Sequence, residues 1–190
     1  MKLLEERIQK DAKILPGGVI RVDTFLNQQI DIDLVLKCSK EWHDIFAKDN
    51  VTKILTIEST GIGIACLAAT HFGVPVVYAK KTRNQIDASE YISSRVVSYT
   101  HGTVYDVYCN KELLTPKDKV LIIDDFLANG SALKALIKMV EKSGATLVGA
   151  GIAIEKLYKN VGNDIRTRGY RIESLAKISS IDENGTITFG

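Results

Sequence analysis

Apolar residues recur along this chain at two periods, and the period in each stretch predicts an element. At positions 1–13 (MKLLEERIQKDAK), Leu3, Leu4, Ile8 and Ala12 stand at helical spacing among charges, which predicts an amphipathic helix. Pro16-Gly17-Gly18 then turns the chain. Residues 19–26 (VIRVDTFL) alternate and predict a short strand, with a change of direction at Asn27-Gln28-Gln29. Asp31 is placed to cap a second helix, in which Leu34, Val35, Trp42, Ile45 and Phe46 share one face. Residues 53–57 (KILTI) predict a buried strand, followed by a glycine-bearing loop and a helix from about Ile64 to His71. Gly73-Val74-Pro75 leads into another strand at 76–79 (VVYA).

From Thr82 to about Tyr91 the chain is polar and has no periodic apolar face, so a mobile loop is expected there. Residues 94–99 and 103–109 alternate on either side of Thr100-His101-Gly102, the pattern of a hairpin. The run 120–123 (VLII) is continuously apolar, as in a strand buried on both faces, and a helix follows from Ser131 to Lys142. Gly144 ends that helix, and residues 145–154 form a second long apolar strand. A short helix within 158–168, a strand at 170–178 and an edge strand around Ile187 and Phe189 complete the chain. Strands that alternate with helices predict an α/β fold with an open parallel sheet, flanking helices, and ligand sites at the C-terminal ends of the strands.

Composition adds mainly exclusions. The chain has 190 residues, 45% of them hydrophobic and 25% charged, and fits a single domain spanning 1–190. A formal charge of +2 is too small to imply nucleic-acid or membrane binding by bulk electrostatics. Cys38, Cys66 and Cys109 are odd in number and widely spaced, which argues for free thiols over a disulfide framework or a zinc cluster. The charged N-terminus has no signal-peptide core, and no run approaches the ~20 apolar residues of a membrane span, so a cytoplasmic location is expected.

The chemistry concentrates at 120–132 (VLIIDDFLANGSA). Asp124 and Asp125 end a buried strand, where carboxylates can accept hydrogen bonds from sugar hydroxyls. The small residues Ala128, Asn129, Gly130, Ser131 and Ala132 then open a helix whose first N–H groups lack partners, the geometry of an anion site. A ligand that carries both hydroxyls and a phosphate, such as a ribose 5-phosphate, suits this pair of features. A second strand-to-helix loop, Glu58-Ser59-Thr60-Gly61-Ile62, repeats the anion-binding arrangement without the Lys of a P-loop or the spacing of a dinucleotide fold. Lys80 and Lys81 follow the strand at 76–79 and supply local positive charge.

The stretch IIDDFLANGSA resembles the phosphoribosyl-pyrophosphate (PRPP) motif of the type I phosphoribosyltransferases, with Asn129, Ser131 and Ala132 where Thr, Gly and Thr are common. The likeness extends over nearly the whole chain and is strongest to the bacterial branch that uses xanthine. The resemblance implies that a hairpin lid closes over PRPP and that hood elements from about 1–36 and 157–190 bind the base. It implies catalytic roles for Asp124, Asp125 and Lys81, 5-phosphate binding by Ala128 to Ala132, and pyrophosphate binding by Glu58 to Ile62. Ile20, Asn27, Phe126 and Lys156 would contact the base. Mg²⁺ would arrive with PRPP and without direct protein ligands, and the chain would form a homodimer with no nucleic-acid or membrane partner. Two other classes also fit the residues: a PRPP-sensing regulator on the same fold, and a doubly wound nucleotide or flavin binder that shares only the strand-to-loop geometry.

Overall fold

The computed structural model describes residues 1–82, 84–98 and 103–190. Helix α1 (Lys2–Asp11) leads into a small antiparallel ribbon of β1 (Lys13–Leu15) and β2 (Val19–Arg21), and α2 (Ile32–Phe46) follows. Next come β3 (Lys53–Ile57), α3 (Thr60–Phe72) and β4 (Val76–Thr82), then the antiparallel pair β5 (Tyr91–Ser98) and β6 (Thr103–Asn110). The remainder is β7 (Lys119–Leu127), α4 (Ser131–Ser143), β8 (Thr146–Lys156), α5 (Val161–Arg166), β9 (Ile172–Ile181) and β10 (Ile187–Phe189).

Eight strands form one sheet in the order β10-β9-β8-β7-β3-β4-β6-β5. The five inner strands, β9 to β4, pair in parallel, while β10 at one edge and β6 with β5 at the other run antiparallel. The apolar run of β7 explains why the sheet is covered on both faces. Leu121 and Ile123 pack in the core that contains Trp42 and Ile64 from α2 and α3, whereas Val120 and Ile122 pack with Leu133 and Leu136 of α4. Asp31 caps α2 as expected, with its carboxylate accepting from Leu34 N–H at 3.1 Å. Among the described residues no helix is long and apolar enough to cross a membrane.

Four local expectations differ. Residues 19–26 are not one strand: β2 stops at Arg21, and Asp23–Asn27 form a single π turn. Val22, Phe25 and Leu26 all lie in the core, and positions i, i+3 and i+4 reach one side only if the backbone coils. The first helix stops at Asp11, which releases Lys13–Leu15 to pair with β2. Helix α3 begins at Thr60, four residues before the expected start, because the glycines of its first turn serve close packing. A Cβ on Gly61 would lie 2.2 Å from Thr56 Oγ1, and one on Gly63 would lie 2.2 Å from Ile30 Cδ1. Finally, β4 continues through Lys80, Lys81 and Thr82, since Tyr108, Val107 and Asp106 of β6 pair with them. The hairpin turn expected at Thr100-His101-Gly102 lies outside the described residues.

Trp42, fully buried, rests against β8 where that strand has no side chain. A Cβ on Gly151 would come within 2.9 Å of the Trp42 ring and 2.7 Å of Ile123 Cδ1. Overpacking of this kind costs about 1 to 3 kcal/mol. Gly151→Ala should therefore lower the free energy of unfolding by that amount, read as a lower urea midpoint with an unchanged denaturant slope, and an unshifted midpoint would show that α2 has room to move.

Candidate functional site

Three parallel strand ends bring the predicted site together. β3 ends in the Glu58 loop, β4 carries Lys81, and β7 carries the acidic pair in its C-terminal half and runs on to Leu127, past the end expected before Asp124. These converge on a cleft of about 220 Å³ lined by Glu58, Ser59, Thr60, Gly61, Lys81, Asp124, Asp125 and Phe126, among others. A second pocket of about 200 Å³ is lined by Ala128, Asn129, Gly130, Ser131 and Ala132. Tyr105, Phe126 and Ala132 line both.

Asp124 is buried and Asp125 half-buried. Each carboxylate accepts from the next N–H along the chain, Asp124 from Asp125 at 3.0 Å and Asp125 from Phe126 at 2.9 Å. Burial, and then repulsion by the Asp125 charge, push the Asp124 carboxyl well above the usual carboxylate range. Burial raises that of Asp125 as well, and Lys81 partly offsets both. Burial and mutual repulsion therefore make it costly for both acids to be charged at once, and a hydroxyl donor or a cation beside them relieves that cost.

The two anion loops are shaped by glycine. Gly61 brings the start of α3 close to the acids: its missing Cβ would sit 3.3 Å from Asp124 Oδ1. The Glu58–Ser59 peptide bond is cis. Glu58 contributes differently from its neighbours, because its carboxylate accepts from Lys81 N–H at 2.5 Å and ties the loop to β4. What Glu58 can offer an anion is main chain. Gly130 has φ +68°, and a Cβ there would lie 2.4 Å from Val161 Cγ1, so both the left-handed backbone and the contact with α5 require glycine. Both α3 and α4 begin directly at these loops, leaving their first N–H groups without intrahelical partners.

Of the expected base residues, Phe126 lines this cleft, while Ile20, Asn27 and Lys156 are not among its lining residues. Phe126 pairs across the sheet with Ile154, two residues before Lys156. Lys156 Nζ donates to Gly18 O at 2.9 Å in the turn before β2, and burial lowers its pKa. Ile20 of β2 packs in the same apolar cluster as Ile154 and Phe126. Asn27 ends the π turn, and its Oδ1 is buried without a hydrogen-bond partner. Beneath Lys156, Glu155 is fully buried and held by Arg166 at 2.8 and 2.6 Å and by Ser174 at 2.5 Å. Burial alone would raise the Glu155 pKa, but these bonds outweigh it and hold it below the usual range.

Two contributors were absent from the sequence reading. Tyr105 enters from β6, and Val161 of α5 packs behind the 128–132 loop at Gly130. Alternation in 103–109 was visible, but which face would meet the cleft depends on pairing with β4.

A model of the phosphoribosyl transferase domain matches residues 21–173. The chain belongs to this family. Among its relatives, the xanthine phosphoribosyltransferase of Lachnoclostridium phytofermentans is 49% identical over all of this chain and 98% of its own length. That of Bacillus mycoides is 44% identical over all of this chain and 95% of its own. Among solved structures, the adenine phosphoribosyltransferase of Giardia lamblia complexed with 9-deazaadenine superposes with a TM-score of 0.78. It covers 93% of this chain and 98% of its own at 20% identity, a likeness of fold.

The acidic pair makes the family site measurable through stability. A carboxyl that keeps its proton to higher pH when folded binds more protons folded than unfolded between its two pKa values. Its contribution to stability therefore falls as pH rises through that window. Asp124→Asn removes this term while its side-chain carbonyl can still accept from Asp125 N–H. The ligand-free variant should melt above the parent protein at pH 7 to 8, with the gap closing towards pH 4, and a variant that melts lower at pH 7 would refute the raised pKa.

Proposed function

We propose that this chain is a purine-salvage phosphoribosyltransferase, a cytoplasmic glycosyltransferase that converts xanthine and PRPP to xanthosine 5′-monophosphate and pyrophosphate. The observation that carries the reading is that Asp124 and Asp125 lie between the starts of α3 and α4, in a cleft that shares Tyr105, Phe126 and Ala132 with the pocket over the 128–132 loop. PRPP has an anionic group for each end and a ribose diol for the middle. The loop at 128–132 holds the 5-phosphate, the main chain of Glu58 to Ile62 with Lys81 holds the pyrophosphate, and the acids accept from the ribose hydroxyls.

Displacement of pyrophosphate by a base nitrogen develops positive charge on the ribose ring. Two adjacent, mutually repelling carboxylates, one buried and one half-buried, are relieved by that charge, so their interaction strengthens in the transition state and no covalent nucleophile is required. Lys81 follows the negative charge that accumulates on the leaving group. The carboxylates at the cleft fit Mg²⁺ held mainly by phosphate oxygens and water, and the ion, when bound, offsets the charge of pyrophosphate. The hairpin of β5 and β6 serves as a lid, the ribbon β1–β2 with the C-terminal elements serves as a hood, and the chain pairs as a homodimer. The exposed Tyr78 and Leu113 suit such a contact.

The base reading rests on Asn27 and Lys156 together with the relatives' activity. Xanthine presents a 2-oxo group next to a ring N–H, and an amide answers both, with Nδ2 donating and the unpartnered Oδ1 accepting. Lys156 can donate to a 6-oxo group and opposes the 6-amino group of adenine. A buried polar group left unpaired costs about 1 to 3 kcal/mol, enough for roughly tenfold to hundredfold discrimination.

Pyrophosphate release measured over a panel of bases should rank xanthine first, guanine and hypoxanthine weaker and adenine negligible. Asn27→Asp should erode the xanthine to guanine ratio of kcat/KM, because a carboxylate repels the 2-oxo group and accepts from guanine's 2-amino group. A parent protein that prefers adenine, or an unchanged ratio in Asn27→Asp, would overturn the base assignment. In the same assay, Asp124→Asn and Asp125→Asn should each lower kcat by about a hundredfold to a thousandfold, the equivalent of about 2.7 to 4 kcal/mol of lost transition-state stabilisation.

A further inference from the structure

Tyr105 stands on the antiparallel extension of the sheet, outside both anion loops and the acidic strand. Yet it lines the cleft at Asp124 and Asp125 and also the pocket over the loop 128–132. A ligand that reaches from one to the other must pass the walls they share, which are Tyr105, Phe126 and Ala132. Phe126 and Ala132 have apolar side chains and come from the strand and helix that flank the phosphate loop. Tyr105 alone among the three carries a side-chain hydrogen-bonding group, and it approaches from β6.

The register of β6 explains its neighbours. Lys81 on β4 pairs with Val107, so Tyr105 is the diagonal partner of Lys81, within reach of a long side chain. The Lys81 ammonium indeed lies 5.7 Å from the centre of the Tyr105 ring, at the range of a cation–π contact. Burial, and then the Asp124 charge, raise the phenol's pKa, so the hydroxyl remains a donor at neutral pH.

We propose that Tyr105 is a PRPP-contacting residue: its hydroxyl donates to bound PRPP between the 5-phosphate and the ribose diol, while its ring holds the Lys81 ammonium beside the acidic pair. This rests on the PRPP-dependent function proposed above. It assigns the β6 strand a direct part in substrate recognition, and it gives Lys81 a defined resting position before pyrophosphate is bound.

The test compares the parent protein, Tyr105→Phe and Tyr105→Ala in steady-state kinetics with xanthine and PRPP, alongside the melting temperature with and without PRPP. Tyr105→Phe keeps the ring and loses only the donor. It should raise KM for PRPP about tenfold, the size of one hydrogen bond, with KM for xanthine within about twofold and an unchanged melting temperature of the free protein. Tyr105→Ala should raise KM for PRPP further and also lower kcat, because Lys81 loses its platform. If Tyr105→Ala does not fold, Tyr105→Phe decides alone. A KM for PRPP within about twofold of the parent in Tyr105→Phe overturns the proposal, as does an equal rise in both KM values, which a merely structural role would give. A parent protein that releases no pyrophosphate from PRPP with any base overturns the functional reading, and the role of Tyr105 falls with it.

Discussion

Placing two consecutive carboxylates at the buried end of a central strand sets up a repulsion that the surrounding structure must manage. Water cannot hydrate Asp124 fully, and Asp125 adds a like charge on the next residue. The response is local and partial. Each carboxylate accepts one main-chain N–H, and Lys81 is brought near by extension of β4 along β6. The remaining imbalance favours a ligand that brings positive charge to this point over one that does not.

The walls of the cleft depend on close approach where a side chain would interfere. At Gly61, helix α3 reaches the acids over Thr56, whose buried hydroxyl has no partner. At Gly130, the 128–132 loop lies on Val161, with Ile165 behind it. The same short helix α5 carries Arg166, whose paired bonds to Glu155 anchor the strand end that bears Lys156. One six-residue helix therefore braces the 128–132 loop from one end and the end of β8 from the other. Removing Arg166 alone would leave Glu155 buried and unpaired, a costly state, so the pair is constrained as a unit.

Much of this arrangement was legible in the sequence because it is local. A continuous apolar run before Asp124, a small-residue loop before an amphipathic helix and a strand-loop-helix at 53–71 are properties of consecutive residues, and their periods follow from backbone geometry. Where the reading slipped, local signals competed. The alternation in VIRVDTFL obscured the helical spacing of Val22, Phe25 and Leu26, and glycines that permit contact at 61 and 63 were read as loop glycines.

The sequence by itself determined the α/β alternation, the motif at 120–132 and its resemblance to a known family, since each is written in neighbouring residues. Only the tertiary structure decided that Lys81 extends a strand, that Glu58 spends its carboxylate on Lys81 N–H, that Val161 backs the 128–132 loop and that Tyr105 faces both halves of the cleft. Those contacts join residues between 23 and 31 positions apart, or tens of residues from the motif. Strand order and register bring them together, and no local period encodes either.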